Sequence, residues 1–449
     1  MKRSIKLLTT LLIGATIVVS GCGNNSSAPS SGSGGNTGNS EAPQIKLTLT
    51  DSWTTTSTQA VDIVHRKLIE QFKSENPNVE ISEDILDNAS LKTKIKTLAA
   101  GNSLPDVFML LGSDAKMLLE NKRIMPLDDI LAQDEEWKNG FIPAAFSDFM
   151  IDGQLTGAPM QMTSTSIVYY NANILKQAGY ETFPATWDEF IDALKKIKEL
   201  GYTPISMGNK DQWVAGSGLL SPLGDRFTGT EWFNSIRDKQ GAKFTDPEFV
   251  GTLTAIKELS NLGAFNSDIN SLDNSQQRTA YYNGKAAMFI EGGWAVSSLV
   301  TDAPKEVLDQ THLAVLPVVN GGKGEANATS GGSGWAIALN AELEGEKLEA
   351  ALKLVKLLTG EQAANMKAEL GDSSGTAATD YDKSKSSPLF EEYLQLLSSV
   401  EMTPVYDIQL SPEIIQTMNK GLQELLIPGD HKTPEKLAEE IQEAYENAL

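Results

Sequence analysis

Four loops of the sequence place a tryptophan beside polar side chains, at Trp53, Trp213, Trp294 and Trp335. This pairing suits a sugar, whose C–H faces pack on flat indoles while its hydroxyls exchange hydrogen bonds with Asp, Asn, Gln or Ser. Trp53 follows a predicted strand, at the carboxyl end where open α/β sheets bind ligands. Trp335 begins an apolar run, so packing at the start of a strand explains it equally well. The sequence therefore offers a candidate binding surface rather than an evident catalytic group.

Catalytic chemistry is the alternative, and an exported glycosidase is its main form. The chain holds 59 Asp and Glu, from which a catalytic pair could come, but most fall on polar helix faces where solvation explains them. Residues 371–375 fit the spacing of a nucleophile elbow, yet a predicted helix precedes them and a loop follows. His65, His312 and His431 are far apart, and no phosphate-binding loop motif occurs. We expect no enzyme activity, no metal site and no cofactor.

Cys22 is the only cysteine in 449 residues, so no intramolecular disulfide is expected. A positively charged start and the mostly apolar residues 7–19 precede it, a stretch shorter than the ~20 residues of a membrane span. Val19-Ser20-Gly21-Cys22 is similar to the bacterial lipobox, in which the thiol is acylated. We expect a signal peptide over residues 1–21 and a lipid-anchored Cys22 on the extracellular face of a Gram-positive type envelope.

Residues 22–43 are almost entirely small and polar, which predicts a flexible linker with a reach of roughly 25 Å. The formal net charge is −22, and it falls to −25 when the three positive charges of residues 1–21 are removed. A body this acidic repels phosphate backbones and anionic membrane surfaces, which argues against nucleic-acid binding. About 400 residues remain after the linker, too many for one core, so two domains are expected.

Strand and helix patterns alternate from residue 45 onward. Residues 45–50 alternate apolar and polar positions, and helical spacing follows at 61–72. Further patterns predict strands at 79–81, 107–111, 167–170, 286–290 and 313–316, and helices at 91–100, 246–262, 344–358 and after Thr433-Pro434. Thr186 and Glu189 form a capping box that opens another helix. The order predicts an α/β fold with a doubly wound parallel sheet, in two lobes.

A series of short motifs runs along the mature chain. It comprises Asn76-Pro77, Leu104-Pro105-Asp106-Val107-Phe108, Met125-Pro126-Leu127-Asp128, Gly157-Ala158-Pro159, Tyr169-Tyr170-Asn171, Pro184-Ala185-Thr186-Trp187-Asp188-Glu189-Phe190, Asn283-Gly284-Lys285-Ala286-Ala287-Met288 and Gly292-Gly293-Trp294. Their order and spacing resemble those of family 1 extracellular solute-binding proteins, the carbohydrate-capturing subunits of bacterial ABC importers.

The resemblance implies a two-lobed, type II periplasmic-binding-protein-like fold that closes on a ligand in the cleft. The N-terminal lobe would comprise residues 44–158 plus 317–367, and the C-terminal lobe residues 159–316 plus 368–449. Residues 159–163 and 317–320 would be hinges. A monomer would bind an oligosaccharide and deliver it to permease subunits, which are separate chains driven by an ATPase, and only the lipid would touch the membrane.

The resemblance also implies roles for particular residues. Trp294 corresponds to a tryptophan that stacks on a sugar ring, and Asp114 to a carboxylate after the third strand. Gln161 and Ser164 lie where the hinge strand faces the cleft, and Asp407 lies in a late segment that reaches the ligand. The full predicted site is Trp294, Trp213, Trp53, Asp114, Asp407, Asp211, Gln161, Ser164 and Trp335.

Overall fold

The computed structural model describes residues 44–429 and 431–448, so the predicted signal peptide, Cys22 and the linker up to residue 43 lie outside the described residues. The strands are β1 (Ile45–Asp51), β2 (Val79–Ile85), β3 (Val107–Leu111), β4 (Met150–Ile151), β5 (Gln154–Leu155), β6 (Ala158–Pro159), β7 (Thr163–Ser164), β8 (Ile167–Asn171), β9 (Thr203–Ser206), β10 (Ala286–Glu291), β11 (Thr311–Ala314), β12 (Ala328–Gly332), β13 (Trp335–Leu339) and β14 (Glu401–Thr403).

The α-helices are α1 (Ala60–Glu75), α2 (Asn88–Ala100), α3 (Gly112–Glu120), α4 (Asp128–Ala132), α5 (Glu135–Gly140), α6 (Ala172–Gln177), α7 (Trp187–Glu199), α8 (Trp213–Ala215), α9 (Ser221–Thr228), α10 (Thr230–Arg237), α11 (Pro247–Leu262), α12 (Asn274–Tyr282), α13 (Ala295–Asp302), α14 (Lys305–Leu308), α15 (Gly345–Thr359), α16 (Glu361–Glu369), α17 (Pro388–Leu397), α18 (Tyr406–Gln409), α19 (Pro412–Leu425) and α20 (Pro434–Asn447). No helix in the described ranges is long and apolar enough to cross a membrane.

The first sheet has the strand order β2-β1-β3-β13-β6. β1 pairs in parallel with β2 and β3, as the alternation of strands and helices predicts. β13 pairs antiparallel with β3 and with β6, so the predicted parallel sheet is in fact mixed. The reason is that β13 enters this sheet at the carboxyl end of β3, where Trp335 lies opposite Leu111. Helices α1, α2 and α15 contribute buried apolar residues to the core of this sheet.

The second sheet has the order β11-β8-β10-β9 and is also mixed. β10 runs parallel to β9 and antiparallel to β8. One core contains apolar residues of α7, α11, α19 and α20. A separate core contains Tyr169 and Phe289, whose rings stack with centroids 4.6 Å apart, together with residues of α13 and α17. β11 spans Thr311–Ala314, two residues earlier than predicted.

A small third sheet, with the order β14-β12-β7, includes two of the chain segments that connect the first and second sheets. Gly331 and Gly332 of β12 pair with Ser164 and Thr163 of β7, so the two connections run side by side. The expected hinge at residues 159–163 stays a prediction, and its last residue lies in β7 beside β12. The other expected hinge, residues 317–320, pairs instead with the start of α7 through Val318.

The lobe boundaries stay a prediction, and contacts of the 317–327 segment favour a later position for the second crossing. The Arg226 guanidinium donates to the carbonyl oxygens of Leu316 and Ala328 at 3.0 and 2.6 Å. The backbone N–H of Gly324 donates to the Arg226 carbonyl at 3.3 Å. These bonds attach the segment to α9, which packs in the core of the second sheet, so Gly332 marks the crossing better than residue 317.

Local signals in the sequence agree with the structure where they rest on hydrogen bonds between near neighbours. Thr186 Oγ1 accepts from the Glu189 N–H at 3.3 Å while the Glu189 carboxylate accepts from the Thr186 N–H at 3.2 Å, so the capping box is confirmed.

Residues 371–375 follow α16 as a loop, so the strand that a nucleophile elbow requires is not there.

A buried group of charged side chains lies where α1 and α16 meet the first connecting segment. Lys367 is fully buried, and its Nζ donates to the Met160 carbonyl oxygen at 2.7 Å. Burial lowers the pKa of Lys367 to about 8, opposed by the charges of Asp372 and Asp62. Burial likewise raises the pKa of Asp372, and that of Asp62, to about 6. Loss of hydration therefore affects the pKa values of these three groups more than the attraction between their opposite charges does.

Replacement of Asp372 should alter the pH dependence of stability. The pKa of Asp372 is raised to about 6 in the folded state, so between pH 4 and 6 the folded protein binds more protons than the unfolded chain. As the pH rises from 4 to 6, the free energy of unfolding of the wild type should therefore fall by about 3 kcal/mol relative to that of Asp372→Asn. Urea denaturation at pH 4, 5, 6 and 7 measures the difference. Asp129→Asn, at an exposed position, is the control, and parallel wild-type and Asp372→Asn profiles would contradict the assignment.

Candidate ligand-binding site

A cavity of about 790 Å³ opens between the edges of the first and second sheets. This volume lies within the usual range for small-molecule sites, which is about 300–1,000 Å³. Its wall includes seven of the nine predicted site residues, namely Trp53, Gln161, Asp211, Trp213, Trp294, Trp335 and Asp407. Residues far apart in the sequence are therefore brought together on one surface.

The direction of the strands explains this convergence. In the first sheet, Trp53 follows β1, Asp87 follows β2, and Trp335 begins the antiparallel β13 at the same edge. In the second sheet, Trp213 follows β9 and Trp294 follows β10, and these two strands are parallel. The carboxyl edges of both sheets thus face the cavity, which is where open α/β sheets bind ligands.

Trp294 and Trp213 form the aromatic part of the wall on the side of the second sheet. Their ring centroids are 5.9 Å apart and the rings are inclined by 58°. The Trp294 indole N–H donates to Glu291 Oε1 at 2.8 Å, and the buried Glu291 carboxylate also binds the Arg278 guanidinium. Gln277 adds a hydrogen bond to the second carboxylate oxygen at 2.9 Å. A charge-assisted network therefore fixes the orientation of the Trp294 ring.

The two glycines before Trp294 are required by close packing. A Cβ at Gly292 would overlap the six-membered ring of Trp294, and a Cβ at Gly293 would overlap the Tyr393 hydroxyl. The Tyr393 hydroxyl is itself hydrogen-bonded to Thr163 at 2.9 Å and accepts from the Ser164 N–H at 3.2 Å. The turn that carries Trp294 is thus packed directly against the first connecting segment.

The indole faces of Trp53 and Trp335 are less accessible to a ligand than those of Trp213 and Trp294. Trp53 is 1 % exposed, and its ring contacts His65 edge-on with centroids 4.2 Å apart. Its indole Nε1 is buried and has no hydrogen-bond partner among the described residues. Trp335 is half-buried, and the Lys92 ammonium lies 5.7 Å from its ring centroid. One face of Trp335 is therefore already covered by a cation.

The polar part of the wall includes Asp407 and Asp211. Asp407 is buried, and its Oδ1 accepts from the Ser217 hydroxyl at 2.6 Å. Burial raises the pKa of Asp407, and the Ser217 hydrogen bond and the Lys92 charge oppose that change. Ser217 lies in a π-helical turn, Gly216–Leu220, between α8 and α9. Such turns often occur at functional sites because they redirect side chains. Asp211 is exposed at the rim.

Ser164 and Asp114 do not belong to the wall, in contrast to the prediction. Ser164 lies in β7 with no exposed surface, and its hydroxyl is bonded to the Thr329 hydroxyl at 2.6 Å inside the third sheet. Asp114 is 3 % exposed on α3 and forms an ion pair with Lys96 at 3.2 Å. Both residues have partners within the protein and contribute to its packing.

The sequence analysis missed several wall residues that carry polar groups. These are Asp62, Asp87, Asn88, Lys92, Lys210, Ser217, Asp273 and Asn274. The rule that selected Trp53 would have found some of them, because Asp87 and Asn88 directly follow β2. Lys92 is four residues after Asn88 on α2, which places it on the same helix face.

A second, smaller cavity of about 560 Å³ lies near the start of β3 and has fewer groups free to bind a ligand. Its lining contains no tryptophan, and its lysines are already paired, Lys94 with Asp84 and Lys347 with Asp106. In the described part of the chain, no group of three or more His, Cys, Asp or Glu is arranged to hold a metal ion.

Comparison with known proteins agrees with this geometry. Residues 58–365 match the family described as bacterial extracellular solute-binding protein. An uncharacterized ABC transporter extracellular-binding protein of Pyrococcus horikoshii is 23 % identical, and the match spans 64 % of each chain. The multiple sugar-binding protein of Streptococcus mutans is 23 % identical over 73 % of this chain and 75 % of that protein.

Solved structures share the whole fold. A structure described as a chitin oligosaccharide binding protein matches with a TM-score of 0.82 and 25 % identity, covering 90 % of this chain and 99 % of the other. The fold is the two-lobed α/β fold of the periplasmic solute-binding proteins, as expected from the sequence. With more than half of its length matched by one family, the chain belongs to the bacterial extracellular solute-binding proteins.

Proposed function

We propose that this protein captures an oligosaccharide in the cavity between its two lobes and delivers it to the permease of an ABC importer. The observation that carries this proposal is the pair of inclined indoles, Trp213 and Trp294, on a wall that also offers Asp407, Asp211 and Gln161. Indole faces suit the C–H faces of sugar rings, and carboxylates and amides suit their hydroxyls. A relative and a structural neighbour named for sugar binding support the choice of ligand.

Binding requires no chemistry on the ligand, and we propose that the protein is not an enzyme. A dissociation constant of about 1 μM corresponds to roughly −8 kcal/mol. Two buried aromatic contacts and several charge-assisted hydrogen bonds can supply this after the cost of ordering is met. The predicted glycosidase alternative would need two carboxylates facing one glycosidic bond, with one protonated.

Attachment to the membrane is part of the proposal. Cys22 would carry the lipid after removal of residues 1–21, and residues 22–43 would connect it to the lobes. A lipidated monomer of this kind stays beside its permease partners, which are separate chains. Among the site residues, Ser164 and Asp114 would act through packing rather than contact with the sugar, since the structure gives both of them protein partners.

Reversible binding without turnover is the first expected result. Isothermal titration calorimetry against cello-, xylo-, malto- and N-acetylchito-oligosaccharides should find at least one ligand with a dissociation constant in the micromolar range or below. Small-angle scattering should show a smaller radius of gyration with that sugar, because the lobes close around it. Chromatography after long incubation should recover the sugar unchanged, and any hydrolysis would contradict the proposal.

Trp294→Ala should weaken binding of the sugar identified in that screen by at least ~2 kcal/mol, since a central stacked aromatic behaves as a hot spot. The fold should persist, because the ring is only half-buried at the cavity wall. Calorimetry measures the affinity and thermal unfolding checks the fold. Trp232→Phe is the control, because Trp232 stacks on Phe249 away from the cavity. Unchanged affinity in Trp294→Ala would remove this ring from the site.

A further inference from the structure

Acidic residues outnumber basic residues in the cavity wall. Five carboxylates line it, those of Asp62, Asp87, Asp211, Asp273 and Asp407, against two ammonium groups, those of Lys92 and Lys210. The two buried members of this set, Asp62 and Asp407, are both acidic. Lys210 is exposed at the rim. An anionic ligand would therefore enter a region of net negative charge, where low dielectric strengthens the repulsion.

Lys92 is the exception inside the cavity. Two other lysines of α2 are paired, Lys94 with Asp84 and Lys96 with Asp114. Lys92 has no hydrogen bond or ion pair within the described residues, and its ammonium lies over the Trp335 ring. Burial lowers the pKa of Lys92, and the charge of Asp407 opposes this more than any other group. The structure thus holds an ammonium and a carboxylate at the same cavity without joining them in an ion pair.

We propose that Lys92 and Asp407 together select an uncharged, hydroxyl-rich sugar, and that the cavity rejects sugars carrying carboxylate, phosphate or sulfate groups. This inference rests on the proposed function and specifies the class of sugar. Lys92 becomes a residue that donates to the sugar, the carboxylates exclude anions, and Trp335 serves mainly to hold the Lys92 ammonium in place.

Hydrogen-bonding capacity explains the selection. An ammonium only donates and a carboxylate only accepts, whereas a hydroxyl does both. A polyol that spans the cavity satisfies Lys92 and Asp407 together and leaves the charge balance unchanged. A carboxylate or phosphate satisfies Lys92 but adds negative charge opposite Asp407 and Asp62. Since like charges repel strongly at a buried site, this difference separates neutral from anionic sugars.

The test compares matched ligands on the full mature chain. Cellotriose, maltotriose and xylotriose are each titrated beside a trisaccharide of the same linkage in which one ring carries a carboxylate. The neutral member should bind at least 10-fold more tightly at low salt. The gap should narrow at high salt, because the screening length falls from about 30 Å at 0.01 M to about 3 Å at 1 M. A steric clash with the added carboxylate would give a gap that salt does not change, and that result would overturn the electrostatic selection.

Lys92→Met tests the residue. It removes the charge while keeping the length of the side chain and its helix propensity. A lost hydrogen bond to a charged group corresponds to a loss of affinity for the neutral trisaccharide of about 10- to 100-fold. Lys94→Met is the matched control on the same helix, because Lys94 pairs with Asp84 away from this cavity. Its affinity should stay within twofold of wild type, and circular dichroism should show both variants folded.

The outcomes separate this inference from the proposed function. A preference for the neutral trisaccharide that narrows at high salt, together with weaker binding of that trisaccharide by Lys92→Met, supports the inference. Equal or tighter binding of the carboxylated partner, or unchanged affinity in Lys92→Met, overturns it while sugar capture stands. Failure of every sugar in the panel to bind overturns the proposed function and this inference with it.

Discussion

The site depends on one geometric constraint, which is that two separate sheets present their carboxyl edges to the same cavity. Parallel pairing of β1, β2 and β3 places the loops after these strands side by side, and parallel pairing of β9 and β10 does so in the second sheet. Side chains more than 200 residues apart, such as Trp53 and Trp294, thereby reach one wall. Neither sheet alone encloses the ligand-sized volume, so the site exists only where the two lobes meet.

A buried charge network fixes the Trp294 ring in addition to its packing against the apolar core. Glu291, the last residue of β10, accepts hydrogen bonds from Trp294, Gln277 and Asn274 and pairs with Arg278. A buried carboxylate is stable only when its oxygens accept hydrogen bonds. Glu291 has four donors, which are three side chains of α12 and the indole of Trp294. The cost of burying Glu291 is thus offset by bonds that fix the ring, and an oriented indole loses less entropy when a ligand stacks on it.

Features that depend on interactions between near neighbours in the chain could be predicted from the sequence. The predictions that were wrong concern residues whose position depends on pairing between segments far apart in the chain. Trp213 was selected because polar side chains flank it in a loop, Trp294 because it follows the predicted strand 286–290 and matches the family motif, and both lie on the wall. Ser164 was expected to face the cleft, but β7 pairs with β12, and a hydrogen bond to the Thr329 hydroxyl, 165 residues later, takes the Ser164 hydroxyl away from the wall. The antiparallel direction of β13 likewise follows from its pairing with β3, more than 200 residues earlier in the chain, which no local pattern encodes.

The proposed closure requires that the lobes separate at small cost, and the contacts between α1 and α13 are consistent with this. The Thr58 hydroxyl donates to the Asp302 carboxylate at 2.7 Å in an exposed position, and the Ala60 N–H donates to Ser297 Oγ at 3.2 Å. Each such bond contributes about 1 kcal/mol because water replaces it on opening. A ligand shifts this equilibrium by the difference between its affinities for the closed and open forms, so a sugar that contacts both lobes only when they are closed would set the population of the closed form. The connecting strands β7 and β12, paired side by side through Gly331 and Gly332, bring two of the crossings between the lobes next to each other, which is the arrangement that a hinge needs.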